Sequence, residues 1–219
     1  MNPAATKAII SIGYTLSYQM PTIYRYVIVF IALLLAGVLV SGCPFGATPL
    51  NEIPGHIKAA NDALEELSII EGRTNTFTLD DEIYEIDILF ASMEELPEDD
   101  EQLMARYTAY RIWTDALRSA SKVVNDDYSR YNAHLRRADQ FYDAFNYVDW
   151  KRELNEAKTL VEGMEQTALS AAYSLDTIPE GFFSSKENAE LLRTRAAIMK
   201  IHREMPILRS ELDLLLRTG

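Results

Sequence analysis

From Leu103 onward the apolar and small residues fall at Tyr107, Tyr110, Thr114, Leu117, Ser121, Val124, Tyr128, Tyr131, Leu135, Ala138, Tyr142 and Phe145, in alternating steps of four and three. No Gly or Pro occurs between Glu98 and Glu162. A seam of period 3.5 that never slips predicts one helix of about 45 residues, roughly 65–70 Å long at 1.5 Å per residue. Such a rod is stable only if other helices cover the seam. Asn125-Asp126-Asp127 is its weak point, because these residue types favour caps and turns. The register crosses them intact, which predicts a continuous helix or a mild bend; a break there is the alternative.

The rest of the chain has the same period, and no segment alternates as a strand would. A first helix is expected over Gly55 to Glu71, with Ile53, Ile57, Ala60, Leu64 and Leu67 on one side and Gly72 at its end. "RTNTFT" reads as a loop. A second helix starts near Asp80, carries Leu79, Ile83, Ile86, Phe90 and Met93, and stops before Pro97. After "NYVDW", Asp149 is expected to cap a fourth helix bearing Trp150, Leu154, Ala157, Val161, Met164, Ala168, Ala171 and Leu175, ended by Pro179 and Gly181. Ser184 and Glu187 form a capping box for the last helix. Its seam runs from Leu191 to Leu215, and Pro206 inside it predicts a kink near His202 to Met205. The fold class is therefore all-α: an elongated antiparallel bundle of about five helices with heptad-like seams.

The beginning of the chain is different. The first 42 residues hold no acid and only Lys7 and Arg25, and Val27 to Val40 is "VIVFIALLLAGVLV". Fourteen apolar residues suit a signal-peptide core; extended to Tyr24 and Gly42, the segment could just span a bilayer. The lone cysteine follows directly. Val40-Ser41-Gly42-Cys43 resembles the lipobox of prokaryotic lipoproteins. That resemblance implies cleavage after Gly42 and diacylglycerol on Cys43. Basic residues ahead of the apolar run place the remainder on the extracytoplasmic face. Residues 1–42 are thus expected to be a signal peptide or N-terminal anchor helix, with translation starting at Met20 as a variant reading. Residues 43–54, rich in Pro and Gly, form a tether, and 55–219 the helical domain.

"ADQFYDAFNYVDWKRELNEAKTLV", Ala138 to Val161, resembles a tetratricopeptide-repeat hairpin, which implies two antiparallel helices and a lead towards peptide binding. Phe145 stands where that family usually has glycine, and the 34-residue period does not recur.

Chemistry is sparse. His56, His134 and His202 lack the spacings of di-iron or zinc sites and read as solvated surface residues. No phosphate loop, nucleophile elbow or calcium loop occurs. No catalytic residue, metal ligand or cofactor is expected. The net charge of −12 argues against nucleic acid as a partner. Residues 51–101 carry 16 acids against Lys58 and Arg73, whereas 184–219 is slightly basic. Glu94, Glu95, Glu98, Asp99, Asp100 and Glu101 are candidates for an acidic docking face. Tyr128, Tyr131, Tyr142 and Trp150 are candidates for a binding groove or a self-association surface, because buried tyrosine hydroxyls need partners.

The expected function is that of a non-enzymatic interaction or scaffold module, held to the membrane through a lipid or N-terminal anchor and binding another envelope protein. The alternatives are a peptide or small-ligand groove, a single-pass anchor without lipid, and an enzyme with an unrecognised site.

Overall fold

The computed structural model describes residues 49–93, 100–179 and 181–218. The expected signal or anchor segment, the lipobox-like residues Val40, Ser41, Gly42 and Cys43, and the acidic residues Glu94, Glu95, Glu98 and Asp99 lie outside these.

A 3-10 turn, Pro49–Asn51, leads into α1 (Ile53–Glu66) and α2 (Phe77–Ala91). Next come α3 (Glu101–Lys122), a π-helical segment (Val123–Asp127) and α4 (Tyr128–Asp143), which follow one another without interruption. α5 (Tyr147–Leu175) and α6 (Ser185–Thr218) complete the domain. Counting 101–143 as one rod, the described residues form an all-α bundle of five helices. Thr48–Gly219 is one compact unit around a single apolar cluster.

The long rod forms as its register predicts, and its weak point becomes a π turn. Asn125, Asp126 and Asp127 keep the chain helical but widen it. Lys122 Nζ can then bond both Asp127 carboxylate oxygens, at 3.0 and 2.8 Å, across a spacing of five residues. On a regular α-helix those positions point about 140° apart.

α1 ends five residues earlier than its apolar pattern predicts. Leu67 is extended, Ser68 and Arg73 pair as an isolated bridge (2.9 and 2.8 Å), and Gly72 supplies the positive φ of the turn between them. The cause is Glu204 on α6. Its buried carboxylate accepts from Ser68 Oγ (2.7 Å), Ile69 N (2.6 Å) and Ile70 N (3.3 Å), which satisfies amides that would otherwise continue the helix. Lys200 adds bonds to the carbonyls of Glu65 and Leu67.

Asn146, not Asp149, caps α5: its Oδ1 accepts from Asp149 N. The chain turns there in a Schellman motif, with Asn146 N on Phe141 O and Phe145 N on Tyr142 O, both 2.9 Å. The capping box at α6 forms as expected. Ser184 N donates to Glu187 (2.8 Å) and Glu187 N to Ser184 Oγ (3.3 Å). Pro206 sits inside α6, and the helix runs through it to Thr218.

Polar contacts fix the directions. Asn61 on α1 bonds Glu190 on α6, and Ser68 bonds Glu204 further along, so α1 and α6 run parallel. α3 also runs parallel to α6, with Arg106 on Glu187 and Trp113 on Thr194. α5 is antiparallel to α6, as Asp176–Arg195, Glu165–Arg209 and Lys158–Asp213 show. α1, α3 and α6 therefore all begin towards one end, and the α4–α5 turn forms the other.

Candidate interaction surface

The four aromatics read as a groove do not come together as one. Tyr128 and Tyr131 stack at 5.6 Å just after the π segment. Tyr142 and Trp150 meet at 5.8 Å near the α4–α5 turn, about 20 Å further along the rod. Tyr131 is 4% and Trp150 6% exposed. Both serve the core: Tyr131 faces α6 near Glu211, and Trp150 packs back from α5 against Tyr142 of α4. Burial, with Glu211 nearby, pushes the Tyr131 hydroxyl up to about 12. Only Tyr142 is half exposed.

Of the acidic six, the described pair serve the rod's N-terminus. Asp100 Oδ1 accepts from Leu103 N at 3.0 Å, and Glu101 lies in the first turn, where a carboxylate complements the helix dipole. Much of the remaining N-terminal acidity is matched by bases elsewhere. Arg193 of α6 reaches Asp62 and Glu65 at 2.8 Å and Glu190 at 2.9 Å, and those guanidinium bonds hold the Asp62 and Glu65 carboxyls below their usual range. Arg118 grips Asp87 with two 2.8 Å contacts.

α2 is a helix apolar on two sides. Leu79, Ile83, Ile86 and Phe90 point into the core, while Phe77 (74% exposed), Tyr84 (62%) and Ile88 point out. Asp81 and Glu85 flank these outer residues, and α2 contains no Lys or Arg. Periodicity missed this stripe because it scores only the better face. The signal was present in a helix whose opposite side is also apolar.

Beside the stripe, α2 and the π segment enclose an open cleft of about 320 Å³ lined by Asp80, Tyr84, Asp87, Arg118, Lys122, Asn125 and Asp126, among others. Asp80 is already engaged by Thr76 Oγ1 (2.7 Å) and by the Ser121 hydroxyl. The cleft is therefore an ionic surface with most of its charges paired.

The histidines are not simply solvated. His56 Nδ1 lies 2.7 Å from Glu82, His134 Nδ1 lies 2.8 Å from Glu153, and His202 Nε2 lies 3.9 Å from Glu165, each pair linking two helices. Arg137 Nε also bonds Glu153 at 2.8 Å and, with His134, holds that carboxyl below its usual range. Glu187 is held lower still. Burial opposes its ionisation, but bonds from Ser184, Tyr110 and Arg106 outweigh that and bring it to about 2. Burial, reinforced by the neighbouring Glu187, raises the Tyr110 phenol in turn.

Among the described residues no three His, Cys, Asp or Glu side chains converge to hold a metal ion, and no helix is long and apolar enough to cross a membrane. No protein-family model, curated protein or solved structure matches the chain.

Proposed function

We propose that this is an exported, lipid-anchored interaction module of a cell envelope, with the outer face of α2 as the surface that receives a basic partner protein. The observation that carries the anchoring is Val40-Ser41-Gly42-Cys43, directly after an apolar run with basic residues before it. Six residues lead from Cys43 to Pro49, a reach of at most about 20 Å. A lipid on that sulfur tethers the end where α1 begins.

The docking surface rests on composition and charge. Phe77, Tyr84 and Ile88 form an apolar stripe with acids and no bases along α2, and a cationic amphipathic segment is the complement of that pattern. The charged cleft beside it favours a second reading, a small polar ligand at the π segment, since π turns recur at functional sites.

A photo-crosslinker replacing Tyr84 in the anchored protein, in its own cells, tests the first reading. An adduct with a basic envelope protein is expected, and it should vanish in the Asp81→Lys/Glu85→Lys variant. An adduct of unchanged yield after that charge reversal contradicts the proposal.

A further inference from the structure

The α4–α5 turn ends the rod in a way the fold alone does not require. Phe145 closes the Schellman motif in the left-handed region, with φ of +57°. Glycine fits there without cost, whereas a side-chain-bearing residue is strained. Phe145 gains no packing in exchange, because it is 79% exposed. Val148 beside it is 81% exposed, and Tyr142 and Tyr147 are about half exposed.

These side chains form a preset platform. The Tyr142 ring stands edge-on to Tyr147 at 5.8 Å and tilts against Trp150, whose own burial roots the cluster in the core. The platform also projects. Lys158 pairs with Asp213, so in the antiparallel arrangement α6 ends near the level of Glu153, leaving about 9 Å of hairpin beyond it.

We propose that this hairpin tip inserts into the interfacial layer of a lipid bilayer. The exposed apolar area is roughly 450 Å², taking about 200 Å² for each aromatic ring. That is well short of the ~800 Å² per partner of a stable protein interface. It is a convex knob, whereas a partner helix would need a groove. Phe, Val and two half-exposed tyrosines suit the boundary between acyl chains and headgroups. The charges allow it. Residues 136–153 hold Arg136, Arg137, Lys151 and Arg152 against Asp139, Asp143, Asp149 and Glu153, a local balance in a chain of net −12, with Arg137 paired to Glu153. Asp149 is neutralised by Arg152 at 2.6 Å, and exposed Arg136 and Lys151 can reach phosphates while their stems lie along apolar surface. The inference does not depend on Cys43.

The unit Thr48–Gly219 holds the whole described core, so its partitioning can be measured without the leader. Cosedimentation with phosphatidylethanolamine–phosphatidylglycerol vesicles should show binding. Phe145→Gly should weaken it at least fivefold without lowering the thermal midpoint, because glycine suits that φ. In Phe145→Trp, the added emission should shift to the blue on vesicles and be quenched by bromine-labelled lipid. The proposal fails if the unit stays in the supernatant, if Phe145→Gly partitions like the parent, or if the Phe145→Trp emission is unmoved. A self-association that Phe145→Gly abolishes, with no vesicle binding, would also overturn it.

Discussion

Around Trp113, α1, α2, α3, α5 and α6 gather, and their interior is stitched by polar bonds. Trp113 Nε1 donates to Thr194 Oγ1 (2.7 Å), Thr194 lies 2.5 Å from Asn61 Oδ1, and Asn61 Nδ2 reaches Glu190, with Trp113, Thr194 and Asn61 all buried. Beyond Asp127, α4 and the last turns of α6 both pack on α5, and the hairpin ends in exposed rings. Where five apolar faces meet, many registers bury similar area, and a buried polar bond penalises all but one of them. Where two helices stand beyond their neighbours, register is set by a short turn, and side chains are released for contact with something else.

The largest test of this contrast is Glu204→Ala. It strips a buried acceptor from Ser68, Ile69 and Ile70 and should cost about 3–4 kcal/mol by urea unfolding. Exposed Glu211→Ala should stay within about 0.5 kcal/mol. Loss of amide protection at Ile69 and Ile70 would localise the effect. Thr194→Val, which orphans the Trp113 indole and Asn61, should cost about 2 kcal/mol and leave exchange at the α4–α5 hairpin unchanged. A change spread evenly over both halves would erase the distinction.

Acid should act on the α6 start. Glu187 titrates near 2 when folded and near its ordinary 4.5 when unfolded, so its contribution is complete above 4.5 and lost as pH falls from 4.5 towards 2. After allowance for solvent screening this is about 1–2 kcal/mol, measurable as a lowered urea midpoint. Glu187→Gln should flatten that stretch of the pH profile. The smallest effect has the opposite sign: Phe145→Gly should stabilise by about 0.5–1 kcal/mol. A few degrees in thermal midpoint would show it.

The helices were legible in the sequence because their seams are local patterns. From Leu103 to Ala138 the step of four and three marks buried or half-buried residues, and Ser184 with Glu187 marks a cap three residues apart. Tyr142 and Phe145 carry the same pattern yet face solvent, because α6 ends before it can cover them. No local rule reports where a distant helix stops. The early end of α1 was hidden for a related reason, since Glu204 lies more than 130 residues from Ser68. Asp149 looked like a cap by residue type, but the left-handed Phe145 places Asn146 at the helix mouth. The outward stripe of α2 was not legible: the acids that stand out, Glu94 to Glu101, lie beyond that helix, and Phe77, Tyr84 and Ile88 are masked by the stronger inward seam.

The anchoring proposal meets its most direct test at the first residue of the native protein. Mass spectrometry of the N-terminal peptide from cell membranes should find Cys43 as residue one, heavier by a diacylglyceryl group. A peptide that begins before Cys43 and carries a free thiol would contradict it.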